Sequence, residues 1–147
     1  MNKHITILAV ESIEDIQKSI LQTFYLSHSI EETVIFGDVG TAIAYLRKED
    51  VYVNAKTPTL ILLDLDTQEK QGIELLSYIK NDRKFKVIPV IIIGTSLTKN
   101  LLTDCYQNHV NCIIAKPGDP EKFSQVIETI RDFWINIAEL PNIKNES

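Results

Sequence analysis

Cysteine is scarce in this sequence of 147 residues, and its two copies, Cys105 and Cys112, are too few for a disulfide framework. The three histidines are scattered, without the spacing of metal ligands. No apolar run approaches the roughly 18 residues that a membrane-spanning helix needs. The first ten residues, MNKHITILAV, are typical of a strand and not of a signal peptide. We therefore expect a cytoplasmic protein with no membrane contact.

Basic charge is also in short supply. The chain has 15 Lys and Arg residues against 20 Asp and Glu residues, so its net charge is -5. A nucleic-acid-binding surface would need a basic face, so we expect no nucleic-acid partner. A hydrophobic content of 44% is ordinary for a globular protein, and a chain of this length fits one domain.

Short apolar runs alternate with segments of helical periodicity along the whole chain. The runs predict strands at residues 5–10, 33–36, 59–64, 90–93 and 112–115. Helical spacing predicts helices at 13–26, at 39–46 with Asp38 as the cap, after Gly72, at 97–106 and from Pro120 onward. Strands that alternate with helices indicate right-handed βαβ units, and hence a parallel sheet in a three-layer α/β domain.

The last predicted helix has an unusually wide apolar face. Its apolar residues, from Phe123 to Ala138, cover an arc of roughly 140° at 100° per residue, whereas a core-facing stripe needs only about 100° or more. One interpretation is a well-buried final helix. The other is a helix that also contributes to a partner or dimer surface.

Chemically active side chains follow the predicted strands. Residues 60–63 are four consecutive aliphatics, which is typical of a strand buried on both faces, and Asp64 follows them directly. In chain order the strand ends carry Glu11-Ser12, Gly37-Asp38, Asp64-Leu-Asp66, Gly94-Thr95-Ser96 and Lys116-Pro117. Ligands bind outside these ends in open α/β sheets. Clustered carboxylates suit Mg²⁺, a lysine can neutralise a phosphoryl oxygen, and a carboxylate can form an aspartyl-phosphate.

These residues resemble those of a known family. Val10-Glu11-Ser12, Leu62-Leu-Asp64-Leu-Asp66 with Gly72 eight residues on, Pro89-Val-Ile-Ile-Ile-Gly-Thr95-Ser96 and Ala115-Lys116-Pro117 resemble a response-regulator receiver domain. The resemblance covers residues 4–138, which leaves 139–147 as a short tail. The ending, Phe133-Trp134 with Ala138-Glu-Leu-Pro141, resembles the single-domain subfamily that partners bacterial and cyanobacterial phytochrome kinases.

The resemblance implies a fold and a mechanism. It implies a flavodoxin-like fold with strand order 2-1-3-4-5, in one receiver domain over residues 1–147. Asp64 would accept a phosphoryl group from a phosphohistidine on a sensor histidine kinase, and Lys116 and Thr95 would complete the reactive set. Glu11, Asp64 and the backbone carbonyl of Asp66 would hold Mg²⁺. Such a protein is not an enzyme beyond its own phosphorylation and dephosphorylation, and it would signal through its fourth helix, fifth strand and fifth helix, with a homodimer as one outcome.

Several positions depart from the family's pattern. Ser12 stands where a second acid is usual, Gly94 at the switch hydroxyl and Ile113 at the switch aromatic residue. Thr95 lies one residue after the switch position, so we expect its side chain to point elsewhere unless the strand bulges. Thr67-Gln68 replaces the usual Met-Pro, and Gln71 replaces the usual acid before Gly72. Asp66 could add a carboxylate near the metal.

Three hypotheses remain open at this point. The first is a working phosphoacceptor that uses Asp64 and Mg²⁺. The second is a pseudo-receiver, a dimerisation or docking module that acts without phosphorylation. The third is a small flavodoxin-like enzyme or cofactor binder that uses Gly94-Thr95-Ser96 as an anion-binding loop. The sequence contains no G-x-G-x-x-G, Walker or G-x-S-x-G motif to support the third.

Overall fold

One parallel sheet of five strands forms the centre of the molecule. A computed structural model describes residues 4–143. Within them the strands are β1 (Ile5–Val10), β2 (Ile30–Phe36), β3 (Leu60–Asp64), β4 (Val90–Gly94) and β5 (Cys112–Ala115). Their order in the sheet is β2-β1-β3-β4-β5, and every neighbouring pair is parallel. The predicted fold class and strand order are both confirmed.

Helices cover both faces of this sheet. They are α1 (Glu14–Tyr25), α2 (Val39–Leu46), α3 (Glu69–Asn81), α4 (Lys99–Gln107) and α5 (Pro120–Ile130). The core is therefore split into two apolar clusters, one on each face. All residues of β1, β3 and β4 are buried, as continuous apolar runs predict. No helix among residues 4–143 is long and apolar enough to cross a lipid bilayer.

Two element boundaries differ from the sequence prediction. Strand β2 begins three residues early, at Ile30, where Glu31 and Glu32 are exposed on an edge strand and hide the apolar pattern. Helix α3 begins at Glu69 and contains Gly72, so the prediction that Gly72 lies in the preceding loop is wrong. A Cβ at Gly72 would lie 2.8 Å from Leu65 Cδ2, and glycine thus allows this helix to pack closely on the chain that follows β3.

The last helix does not continue regularly to Ala138. Helix α5 ends at Ile130, and a π-helical turn spans Arg131–Ile135. The wider turn places Ile135 in the core, whereas Phe133 is 48% exposed and Ile137 is 70% exposed. The wide apolar face is therefore only partly buried, and a surface for a partner stays a prediction.

Candidate functional site

Three strand ends bring Glu11, Asp64 and Lys116 together at one edge of the sheet. The register pairs Val10 with Leu63 and Asp64 with Ile93, and the Lys116 N–H continues the β4–β5 ladder to the Gly94 carbonyl at 2.9 Å. Strands β1 and β4 therefore flank Asp64 directly, while Lys116 reaches it from the edge strand β5. The predicted meeting of an acid from the central strand with a distant lysine is observed.

Lys116 is the cation at the centre of this site. Its Nζ donates to Asp64 Oδ2 and lies 3.5 Å from Glu11 Oε1 and 3.6 Å from Asp66 Oδ2. The lysine side chain is 7% exposed and the Asp64 side chain 1%. Burial alone would lower the pKa of Lys116, but the hydrogen bond and charge of Asp64, together with the other two acids, outweigh burial and raise it. The lysine is therefore held in its charged form.

Glu11 has one carboxylate oxygen that lacks a hydrogen bond. Its Oε2 accepts the N–H of Ile13 at 3.0 Å, whereas no group among residues 4–143 donates a hydrogen bond to the buried Oε1. Burial and the neighbouring Asp64 carboxylate raise the pKa of Glu11 to about 7. Three carboxylates, those of Glu11, Asp64 and Asp66, pair with the single Lys116 ammonium, so the acids in the pocket outnumber the lysine.

Asp66 connects the loop after β3 to the loop after β4. Its Oδ1 accepts the Thr95 backbone N–H at 2.9 Å and the Thr95 hydroxyl at 3.1 Å, and its own N–H donates to Asp64 Oδ1 at 2.8 Å. The pairing of β4 with β5 is regular up to Gly94. Without a bulge, the Thr95 hydroxyl contacts Asp66 instead of Asp64, as expected for a residue one place beyond the switch position.

Two further side-chain contacts of the β3–α3 loop were not found by sequence reasoning. Thr67 Oγ1 donates to Ser12 Oγ at 3.2 Å and accepts the Ser12 N–H at 3.3 Å. Gln68 Oε1 accepts the Val39 N–H at 3.1 Å, at the start of α2. Residues that were noted only as departures from a pattern therefore contact other parts of the pocket rim. From the sequence, only the polar character of these residues indicated that they could form hydrogen bonds. The spacing of residues along the chain does not identify the partner of a hydrogen bond.

The acidic residues fit a divalent cation in part. Glu11 and Asp64 supply hard oxygen ligands, and a cation would give the buried Glu11 Oε1, which accepts no hydrogen bond from residues 4–143, a second charged neighbour besides Lys116. In the described part of the chain, however, no three acidic, histidine or cysteine side chains are grouped as metal ligands. The Asp66 carboxylate contacts Thr95 and Lys116. Glu11, Asp64 and the Asp66 carbonyl, the set that the family resemblance implies, therefore stay a prediction as the group that would hold Mg²⁺.

Comparison with known proteins agrees with this geometry. The family model for the response regulator receiver domain matches residues 7–128. The chain belongs to this family. Receiver domains are signalling proteins of two-component systems that interact with histidine kinases, and in general they bind Mg²⁺.

The individual relatives of this receiver are similar over most of its length. Response regulator Rcp1 of Synechocystis sp. is 33% identical over 124 residues, which are 84% of this chain and 82% of Rcp1. The structure of the phosphorylated cyanobacterial phytochrome response regulator RcpA is 37% identical, with a TM-score of 0.88, over 95% of this chain and 99% of that one. The Mn²⁺-bound form of Rcp1 is 31% identical, with a TM-score of 0.86, over 94% and 99% of the two chains.

Proposed function

We propose that this receiver accepts a phosphoryl group on Asp64 from the phosphohistidine of a sensor kinase, and that it acts as a single receiver domain. The observation that carries the proposal is the contact of the buried Asp64 carboxylate with Lys116 at the carboxyl edge of the sheet. An Asp64 oxygen attacks the phosphorus atom, so a P–O bond forms as the P–N bond breaks. The histidine nitrogen keeps the electron pair of that bond.

The residues around Asp64 would assist this transfer through position and charge. The Asp66 N–H holds Asp64 Oδ1 and leaves Oδ2, the oxygen that faces Lys116, as the nucleophile. Lys116 would remain beside the new acyl phosphate and neutralise part of its charge. Mg²⁺ held by Glu11, Asp64 and the Asp66 carbonyl would supply further neutralisation of the phosphoryl oxygens.

Phosphorylation can be tested directly with a small phosphodonor. The protein is incubated with acetyl phosphate and millimolar Mg²⁺, and intact mass spectrometry records the gain of one phosphoryl group. We expect uptake by wild type, none by Asp64→Asn and none in EDTA. Glu69→Gln, which neutralises an exposed acid at the start of α3, is the matched control and should behave as wild type. Uptake by Asp64→Asn would refute the assignment.

The similarity to RcpA, a cyanobacterial phytochrome response regulator, supports a phytochrome-type kinase as the phosphodonor. For the output we propose a homodimer through the surface of α4, β5 and α5. A groove of about 630 Å³ lies on the β5 and α5 part of this surface, and its lining includes the apolar side chains of Ile114, Val126 and Trp134. Phe133 also lines it and is half exposed. The aromatic residues of this groove are the type that contributes most to protein interfaces.

A second candidate function is a docking module that acts without phosphorylation. Gly94 has no hydroxyl to meet a phosphoryl group, and the Ser12 side chain bonds Thr67 where a second metal-binding acid is usual. The mass experiment separates the two functions. A protein that takes up no phosphoryl group, yet dimerises, fits the docking module.

A further inference from the structure

The Asp66 carboxylate accepts hydrogen bonds from donors that lie beside the phosphoacceptor Asp64. Thr95 offers a backbone N–H and a hydroxyl at the end of β4, and both donate to Asp66 Oδ1, at 2.9 Å and 3.1 Å. The other Asp66 oxygen lies 3.6 Å from Lys116 Nζ, the same ammonium that pairs with Asp64. One carboxylate thus bridges the pocket lysine and the donors of the neighbouring loop.

A phosphoryl group on Asp64 would need these donors. Such a group carries close to two negative charges and three acceptor oxygens, and it would form on the Asp64 oxygen that faces Lys116. Besides Lys116, the Thr95 N–H and hydroxyl are donors at the end of β4, next to the Asp66 carboxylate. The Asp66 N–H already donates to Asp64 Oδ1. A second anion at Asp66 would compete for Lys116 and Thr95 and would also repel the phosphoryl group.

Gly94 has no side chain, which leaves space for the contact between Asp66 and Thr95. A Cβ at Gly94 would lie 3.7 Å from Asp66 Oδ1 and 3.2 Å from Leu97 Cδ2. A hydroxyl-bearing side chain there would therefore enter the space beside the Asp66 carboxylate. With glycine, the carboxylate reaches Thr95 without obstruction.

We propose that the Asp66 carboxylate takes the place of the phosphoryl group in the unphosphorylated protein, holding the Thr95 donors until phosphorylation of Asp64 displaces it. This inference rests on the proposed phosphorylation of Asp64. The Asp66 carboxylate has a positioning role here, because it acts through Thr95, and this role is separate from those of the Asp66 N–H and carbonyl in the transfer.

Displacement of Asp66 would reach two helices. Thr95 lies three residues before Thr98, whose side chain caps α4 through the Leu101 N–H. On the other side, Gln68 holds the Val39 N–H at the start of α2. Release of the Asp66–Thr95 contact therefore frees the β4–α4 loop and changes the β3–α3 loop, which also contacts α2. These contacts supply a route from the pocket to the surface without a hydroxyl at residue 94.

The test compares binding of beryllofluoride, as the phosphoryl analogue, to Asp66→Ala, Asp66→Asn and wild type in millimolar Mg²⁺. Asparagine removes the charge but keeps an acceptor for Thr95, whereas alanine removes both. We expect Asp66→Ala to bind about fivefold more tightly than wild type, as loss of two partly exposed hydrogen bonds implies, with Asp66→Asn in between. Glu69→Gln reports the effect of removing a nearby charge alone, and should differ from wild type by less than Asp66→Asn.

A second measurement needs no phosphoryl analogue. In the free protein, amide hydrogen exchange at Thr95 should be several-fold faster in Asp66→Ala than in wild type, because the N–H has lost its acceptor. Equal exchange, equal affinity of the alanine and asparagine variants, or weaker binding by Asp66→Ala would each overturn the inference while the phosphoacceptor function stands. Absence of beryllofluoride binding in wild type and every variant would overturn both.

Discussion

Removal of Lys116 should destabilise the protein far more than removal of Asp64. Lys116 Nζ lies 3.5 Å from Glu11 Oε1 and 3.6 Å from Asp66 Oδ2, and it also pairs with Asp64. At an effective dielectric constant of about 20, a pair at that separation contributes about 5 kcal/mol before the cost of desolvation. Removing one partner of a buried pair typically costs about 3–5 kcal/mol, because the other charge stays buried and unpaired.

For Lys116→Met we expect the lower end of this range, about 3 kcal/mol at pH 8. The pKa of Glu11 is already raised to about 7 by its burial and by the nearby Asp64, so Glu11 can bind a proton and reduce the repulsion. Asp64→Asn should stay within about 1 kcal/mol of wild type, because Lys116 keeps two acids and Glu11 loses a repulsive neighbour.

The pH dependence follows from the same charges. The pKa of Glu11 rises on folding from 4.5 to about 7, so the folded protein binds more protons than the unfolded chain between these values. Its contribution to stability is present below pH 4.5 and falls as the pH rises towards 7, by at most about 3 kcal/mol. The cost of Lys116→Met should therefore be smaller at pH 6 than at pH 8.

The assay is urea unfolding in EDTA, followed by far-UV circular dichroism and by Trp134 fluorescence, with Lys122→Met as the matched control. Lys122 is an exposed lysine in the first turn of α5, and its replacement should change the free energy of unfolding by less than about 0.5 kcal/mol. If Lys116→Met were equally harmless, or if Asp64→Asn cost as much as Lys116→Met, the assignment of an excess of acids over lysine to this pocket would be wrong.

Three other predictions concern different parts of the molecule. Asp38→Ala should lower the free energy of unfolding in urea by about 1 kcal/mol at pH 7, because the Asp38 side chain accepts an N–H of the first turn of α2. This hydrogen bond holds the pKa of Asp38 low. The difference in stability between the variant and wild type should therefore shrink as the pH falls below 3.8. Phe133→Ser should weaken self-association in sedimentation by roughly tenfold or more, whereas Tyr25→Ser, an exposed aromatic on α1, should not. Gly94→Ala should change the free energy of unfolding by less than about 1 kcal/mol, because two effects oppose each other. Alanine loses less conformational entropy than glycine on folding, which stabilises the protein, whereas its Cβ would crowd Leu97 Cδ2 at 3.2 Å, which destabilises it. A loss above about 2 kcal/mol would show that Leu97 cannot move.

The parts of the fold that were predicted from sequence are those with one dominant cause. Strands β1, β3 and β4 are buried on both faces, so hydrophobicity alone identifies them. The predicted strand at 33–36 is shorter than the observed edge strand β2, because Glu31 and Glu32 face solvent and interrupt the apolar pattern. The sequence does not predict the π-helical turn at Arg131–Ile135, because the spacing of the apolar residues before it is that of an ordinary α-helix. Gly72 was misplaced because its reason is a tertiary contact with Leu65.

The candidate site divides in the same way. Parallel strands end at one edge of a sheet, so strand order alone brings Glu11, Asp64 and Lys116 close together. The contact of Asp66 with Thr95 depends on side-chain rotamers in two different loops, the one after β3 and the one after β4. The periodicity of the sequence does not encode these rotamers. Sequence reasoning therefore found the charged centre of the site but not the contacts that surround it.

The energetic cost of the charged centre favours a functional pocket over a remnant. Glu11 and Asp64 are each 1% exposed. A buried set of charges, with one carboxylate oxygen that accepts no hydrogen bond from residues 4–143, costs stability that apolar residues of similar volume would not. The fold itself does not need these charges, since β1, β3 and β4 are already held by their ladders and by the apolar clusters on both faces. At the rim, the residues that depart from the family's pattern are hydrogen-bonded: Ser12 to Thr67, and Gln68 to the start of α2. A pocket without a function would not need to keep a costly centre within such a rim, and the proposed binding of a cation and a phosphoryl group would account for it.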